Sequence, residues 1–339
     1  MSVPAEMNIL QTPGDKVVRI GRAPVAPPGA GQVVVRTVVS AICGSEMRAY
    51  RGTGHPLNNG HEAAGEVVGL GAGVTSLSMG DRVGLSAIVG CGDCSECVAG
   101  RYTWCAVRSF VSGMHAEYIT IAARACHLLP EDVDWATGVL ISGDGLGVPY
   151  HSLTKFADLA REIVVVGLGP VGLGSVLLHA HLGRRVIGVD LSAHRRGLAM
   201  ELGAAAVVEA GTDPRETAAR IRNITGEPDL CVEAAGTSAT LRTCLEAVRN
   251  GDTIILNGEQ PALELSPSED FIRRDITVAG AWFYHFHEFA AMLALVREGL
   301  AVSRLVTHRI PFEQAQAGYA EMAAGTTGKV LLDYRSSAP

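Results

Sequence analysis

No excess of positive charge runs through this chain: 28 lysines and arginines face 35 aspartates and glutamates, for a formal charge of -7. Such a balance offers no basic field to hold nucleic acid or an anionic membrane, so the expected partner is a small molecule. The N-terminus MSVPAEMNILQTPGDK has no basic stretch leading into an apolar one. No secretion signal is read there, and cytoplasmic residence is expected. Long apolar runs are missing too: the longest, Ile163 to Leu178, falls short of about 18 residues and is broken by Gly167, Gly169, Pro170, Gly172 and Gly174. It reads as strand, turn and helix. Tandem repeats, low-complexity tracts and long linkers are also lacking. What remains is a chain of 339 residues, 47% hydrophobic and 19% charged, long enough for two domains and too apolar to be disordered.

Up to about residue 130 the text is strand-like and turn-rich, with short β-branched runs such as GQVVVRTVVSAIC and GDRVGLSAIVG punctuated by glycine. A largely antiparallel β domain is expected. From about residue 160, strands alternate with helical stretches: EIVVVG, Val171 to Leu182, RRVIGVD, Arg195 to Leu202, AAVVEA, Pro214 to Ile224, DLCVEAAG, Ala239 to Val248, TIILNG. That alternation predicts right-handed crossovers and a doubly wound parallel sheet, hence an α/β protein. The amphipathic EFAAMLALVREGL and strand-like GKVLLDY close the chain. With no linker, the two parts are expected to share an interface with a cleft between them.

Three constellations carry chemistry. In IVVVGLGPVGLG, Gly167, Gly169 and Gly172 form GxGxxG after a β-branched strand and open a helix. Glycine permits the tight turn and the close approach of backbone to a pyrophosphate, which the helix N-terminus attracts. RRVIGVD follows at the right distance and sets Asp190 at a strand end, where its carboxylate would hold ribose hydroxyls and repel a 2'-phosphate. NAD is therefore expected over NADP, with Arg195 flanking the adenine ribose and, with Arg196, leaving some tolerance of NADP. A packing turn of a flavodoxin-like or methyltransferase domain is the bland alternative. In CGDCSECVAGRYTWC, Cys91, Cys94, Cys97 and Cys105 can complete a closed tetrahedral shell, the arrangement of a structural zinc. A thioredoxin-like CxxC would explain two of them and leave two idle. The third constellation is dispersed: Cys43, then His61 and Glu62 in GHE, then an acid further on. By itself, Cys43 reads as a buried small residue and His61 as a satisfied polar one.

Taken together, CGSE at 43, GHEAAGEVVGLGAGV at 60, GDRV at 80, the four-cysteine lobe, GLGPVG at 167 and GKVLL at 328 resemble the zinc-containing medium-chain dehydrogenases, the alcohol, sorbitol and threonine dehydrogenases. The resemblance implies a GroES-like catalytic domain over 1–152 and 286–339 with a Rossmann domain over 153–285 between its parts. It implies two zinc ions, one held by the cysteine lobe and one catalytic, the latter on Cys43, His61 and an acidic third ligand. In LISGDGLGVPYHSL, Asp144 is the only carboxylate; a helix cap is its alternative role. Glu62 would coordinate transiently or replace water. Ser45 would accept the alcohol proton, and Glu46 reads as a supporting or surface acid. Arg48 stands where many relatives have a relaying histidine. A guanidinium is always protonated, so the relay would finish on cofactor ribose, water or His55. Arg48 would contact the cofactor or an anionic or polyhydroxylated substrate, or be simply solvated.

Gly167, Gly169, Pro170, Val171, Gly172, Asp190, Arg195 and Lys329 are the expected cofactor contacts, Lys329 on the pyrophosphate unless it is a plain surface lysine. The short connection from Cys105 to Gly113 would reduce one pocket wall, and Trp282, Phe283, Tyr284, His285 and His287 would supply stacking or simple packing. The resulting expectation is an NAD-dependent zinc dehydrogenase interconverting a secondary alcohol and its ketone, on a polyol, cyclitol, sugar or amino alcohol. L-threonine 3-dehydrogenase is the runner-up, and a catalytically silent zinc- and nucleotide-binding protein is the reading from another class. A homodimer or homotetramer is implied, joined around ITVAG.

Overall fold

The computed structural model describes residues 3–55, 57–156, 160–260 and 262–335. The chain divides into two compact units, one of residues 1–147, 285–294 and 306–339, the other of 148–284 and 295–305.

In the first unit one sheet runs in the order Val306–Pro311, Lys329–Asp333, Gln32–Ile42, Ala63–Leu70, Arg82–Leu85, Cys126–Leu128, and Tyr118–Ala122 also pairs with Gln32–Ile42. All pairs are antiparallel except the first. The strand Gln32–Ile42 is the spine. Its valines Val33, Val34 and Val35 are all fully buried, so both faces are covered, and its β-branched residues suit a pleated surface packed on each side. Close approach of the neighbouring strand depends on Gly65, where a Cβ would lie 2.0 Å from the Arg36 carbonyl oxygen. One core of this unit gathers Leu10, Ile42, Met47, Tyr50, Phe312, Tyr319 and Val330.

The second unit carries a six-stranded, wholly parallel sheet in the order Ala206–Glu209, Arg185–Asp190, Glu162–Val166, Leu230–Glu233, Thr253–Leu256, Thr277–Gly280. The helices Pro170–His181, Ala193–Glu201, Pro214–Thr225 and Ser238–Ala247 make the crossovers. Their starts follow from local chemistry. Ser192, Asp213 and Thr237 each accept a backbone N–H of the first turn, filling donors that a helix cannot satisfy internally. The sequence reverses direction across the sheet beside Glu162–Val166, and the glycine-rich turn leaves that central strand at its C-terminal end. The apolar run Ile163 to Leu178 is thus part strand and part helix, and among the described residues no helix is long and apolar enough to cross a membrane.

Candidate active site

Cys43 lies just past the spine strand and His61 and Glu62 just before Ala63–Leu70. Antiparallel pairing sets Ser40 opposite Ala63, and the Ala41 N–H donates to the Glu62 carbonyl at 3.0 Å. Residues far apart in sequence are therefore neighbours by register. Asp144 opens the helix Asp144–Ser152; its Oδ2 is 3.0 Å from His61 Nε2 and 3.5 Å from Cys43 Sγ. One donor atom from each of Cys43, His61, Glu62 and Asp144 lies within 4.8 Å of the others, and all four residues are buried.

Several observations show that this cluster fits a divalent cation. Asp144 Oδ1 is buried without a hydrogen-bond partner among the described residues, which in a packed interior is costly unless something else occupies it. His61 Nδ1 lies 2.8 Å from the Asn59 carbonyl, so it holds the ring proton there and leaves Nε2 a lone pair facing the cluster. With Cys43 as the thiolate that a metal ligand must be, one thiolate and two carboxylates against the single ammonium of Lys329 would leave two negative charges for a divalent cation to balance. Without a metal a proton partly substitutes. Burial works against a charged His61, yet the Asp144 carboxylate beside it holds the imidazole well above its usual range. Burial likewise raises the Glu62 carboxyl, against the pull of Lys329.

Lys329 is not a plain surface lysine. Register places it alongside Cys43, since Val330 pairs with Ile42, and its fully buried ammonium is paired with Glu62 Oε1. Burial would lower this lysine, but Glu62, Cys43 and Asp144 together hold it charged and raised. It is an internal counter-charge of the cluster.

Behind Cys43 stands a polar network that the sequence reading did not include. Glu46 is 1% exposed and accepts the Cys43 N–H at 2.8 Å, His115 Nε2–H at 3.0 Å and the Tyr319 hydroxyl. Burial acts to raise this carboxyl, but His115 and the donated N–H bring it down to about 2. Glu46 was visible in CGSEMRAY, whereas His115, in GMHAEY, belongs to no recognisable pattern. Ser45 and Arg48, by contrast, are both exposed, on consecutive short turns over Gly44–Glu46 and Met47–Arg51. The short connection after Cys105 does not simply remove a wall: Ser109–Phe110 pairs with Ile88–Val89, and the Phe110 ring stands 5.7 Å from the His61 ring. The aromatic run after Trp282 is split. His285 bonds Thr103 at 2.8 Å and meets Trp104 edge-on, while Trp282 and Phe283 pack on each other.

The cysteine lobe fits a second metal. Cys91, Cys94, Cys97 and Cys105 are unpaired thiols whose sulfurs lie within 4.8 Å of one another. Cys91 and Cys97 Sγ are 3.8 Å apart. Ligands at ~2.3 Å in a tetrahedron are separated by about 3.8 Å, so that spacing suits zinc. Backbone N–H groups of Asp93 and Cys94 point at Cys91 Sγ and bring its thiol down to about 6, favouring the thiolate a metal needs.

In the second unit, Gly167 has φ +95° and a Cβ there would strike Ala235 at 2.7 Å, while one on Gly172 would lie 1.8 Å from the Gly167 carbonyl. These two glycines make the turn. Gly169 does something else: a Cβ there would meet nothing within 4 Å, so bare backbone faces open space. It caps the helix Pro170–His181 with no side-chain bond and no acid in the first turn, leaving N–H groups for an anion. Pro170 and Val171 follow it into that turn. Asp190 accepts Leu168 N–H and Ser192 N–H, each at 2.7 Å, which fixes its carboxylate beside the glycine turn. Arg196 is committed to the Asp190 and Leu191 carbonyls at 2.9 Å. Arg195 donates its backbone N–H to the Ser192 hydroxyl at 3.3 Å.

Comparison with known proteins agrees with this geometry. Residues 29–131 match the model of the alcohol dehydrogenase GroES-like domain, and residues 170–298 that of the zinc-binding dehydrogenase. An L-threonine 3-dehydrogenase of an Anaeromyxobacter species is 30% identical over 92% of this chain and 94% of its own. A sorbitol dehydrogenase of Gallus gallus is 30% identical over 93% of each. Among solved structures, an alcohol dehydrogenase from a Thermus species is 26% identical and superposes with a TM-score of 0.84 over 96% of this chain and 99% of its own. The chain belongs to the zinc-dependent alcohol and polyol dehydrogenase family, oxidoreductases acting on CH–OH groups.

Proposed function

We propose that this enzyme oxidises a secondary alcohol of a polyol, cyclitol, sugar or amino alcohol with NAD, reversibly. The observation that carries the proposal is the buried set Cys43, His61, Glu62 and Asp144 with its unpartnered carboxylate oxygen. In this reading Cys43, His61 and Asp144 hold the catalytic zinc, Glu62 stands in reserve on Lys329, and the cysteine lobe holds the structural zinc. Bound zinc supplies a Lewis acid that brings an oxygen-bound proton to a pKa near ~7, and the nicotinamide supplies the hydride acceptor. Ser45, exposed next to the cluster in sequence, takes the hydroxyl proton on Oγ. Arg48 cannot pass that proton on, so it leaves through water, cofactor ribose or His55. Asp190 reads the ribose hydroxyls and repels a 2'-phosphate. Arg196 is held by backbone carbonyls, which supports NAD over NADP.

A second reading is L-threonine as substrate. It is favoured by the threonine dehydrogenase relative and by Arg48, whose exposed guanidinium has no ion-pair partner among the described residues and suits a carboxylate. We further infer a homodimer or homotetramer through the edge strand Thr277–Gly280, which among the described residues is paired on one side only. Eight unpaired cysteines fit a reducing compartment, supporting the cytoplasm. The test is NADH formation across polyols, cyclitols, amino sugars and threonine, together with zinc analysis. Two zinc ions per chain and turnover of a secondary alcohol are expected; one zinc, confined to the lobe, would overturn the catalytic assignment.

A further inference from the structure

His115 is fully buried and touches both segments that carry the proposed metal ligands. On the Cys43 side, its Nε2 is 3.0 Å from Glu46 Oε2, and Glu46 Oε1 accepts the Cys43 N–H at 2.8 Å. Its Nδ1 is 2.8 Å from the hydroxyl of Ser40, three residues before Cys43. Ser40 in turn lies 3.0 Å from the Tyr334 hydroxyl. On the His61 side the ring lies flat against Gly60, where a Cβ would fall 2.5 Å from His115 Cδ2. The Met114 N–H donates to the Gly60 carbonyl at 2.9 Å, and Asn58 Oδ1 accepts both Gly60 N–H and His115 N–H.

One assignment of hydrogens satisfies the row. Tyr334 donates to Ser40, Ser40 donates to His115 Nδ1, and His115 Nε2–H donates to Glu46. Burial holds the Tyr334 hydroxyl protonated, as its donor role requires. A ring that both bonds the carboxylate capping Cys43 and fills the space beside Gly60 fixes the separation of two ligands that the sheet register alone leaves adjustable.

Building on the proposed zinc assignment, we propose that His115 is a positioning residue for the metal centre: it sets Cys43 relative to His61 without touching metal or substrate.

The test compares His115→Gln and His115→Asn in the full chain, using chelator competition for each zinc and the thiolate-to-cobalt absorption band after exchange of the catalytic site. A glutamine amide reaches the place of Nε2 and keeps the donor to Glu46, whereas asparagine reaches only the place of Nδ1. His115→Asn should weaken the catalytic zinc roughly 10- to 100-fold, the range seen on loss of groups that orient metal ligands, and broaden the cobalt band. His115→Gln should return both within about threefold of the parent. The lobe zinc should be unchanged in both. Parent-like zinc affinity in His115→Asn overturns the inference, as does equal loss in both variants, which would mark the ring as packing alone. A parent chain with no second zinc would instead overturn the underlying metal assignment.

Discussion

Replacing Lys329 by methionine separates the two roles this residue has been given. The side chains of Lys329 and Glu62 are both fully buried, so solvent does not screen their pairing. Removing one partner of a buried pair costs about 3–5 kcal/mol when the other must stay charged. Glu62 has a cheaper escape, which is to take up a proton. From an ordinary value of 4.5, that costs about 3.4 kcal/mol at pH 7, at 1.36 kcal/mol per pH unit, and only about 0.7 kcal/mol at pH 5. Metal-free Lys329→Met should therefore be destabilised by about 3 kcal/mol at pH 7 and by less than about 1 kcal/mol at pH 5. Urea unfolding of the sheet unit, with parent and variant compared at both pH values, reads this directly. NADH affinity, measured by fluorescence, should stay within about threefold of the parent, because the ammonium faces the cluster. A penalty that does not change with pH, or an NADH affinity more than about tenfold weaker with stability intact, would refute the reasoning and return Lys329 to the pyrophosphate.

Three further perturbations test the rest of the site. Asp144→Ala should reduce the zinc content from two ions per chain to one and lower kcat/KM on the order of 10²-fold, since the Lewis acid contributes several kcal/mol; unchanged turnover would remove Asp144 from the mechanism. Asp190→Ala should raise the NADP-to-NAD ratio of kcat/KM by about 10²-fold or more, because like charges ~4 Å apart repel by about 4 kcal/mol at an effective dielectric near ~20; an unmoved ratio would contradict the assignment. The metal-free protein should lose stability as pH rises. His61 is raised above 6.5 in the folded state, so its contribution is complete below 6.5 and disappears as pH climbs through the raised value. Glu62, also raised, acts in the same sense above 4.5. Thermal unfolding across this range should show the slope in metal-free protein and its loss once zinc replaces the proton.

The parts of the site that were legible in the sequence are those built locally. Four cysteines between 91 and 105 can close on one ion without help from the rest of the fold, and Gly167, Gly169 and Gly172 sit on one strand, turn and helix. The parallel sheet was legible for the same reason, each crossover being written out as an alternation of apolar periods. The cluster around Cys43 is different in kind. Its members come from 43, 61–62, 144 and 329: the antiparallel register of the spine strand with Ala63–Leu70 and Lys329–Asp333 brings all but Asp144 together, and Asp144 joins them from the start of its helix, its N–H donating to Glu62 Oε2 at 3.2 Å. Resemblance suggested Cys43, His61 and Asp144. Nothing local could show that Lys329 turns inward, which depends on which face of its strand is buried, or that His115, in the irregular stretch before Tyr118–Ala122, reaches Glu46, 69 residues away in sequence.

This dependence on burial decides what each cation near the site can do. Lys329 is inside, where its charge is offset by Glu62; with Cys43 as the thiolate that a metal ligand must be, the cluster would carry two excess negative charges, which suit a divalent ion. Arg48 is outside because the short helix Met47–Arg51 commits Met47 and Tyr50 to the core formed with Phe312 and Tyr319, leaving the intervening positions to solvent. Like Ser45, Arg48 is exposed, and a guanidinium brings five donors to that position. From the sequence, Lys329 reads as a pyrophosphate contact or a surface lysine, and Arg48 as a contact for cofactor or for an anionic or polyhydroxylated substrate, or as simply solvated. In the fold, the lysine's charge is met inside by the Glu62 carboxylate, whereas the arginine's guanidinium stands exposed to solvent.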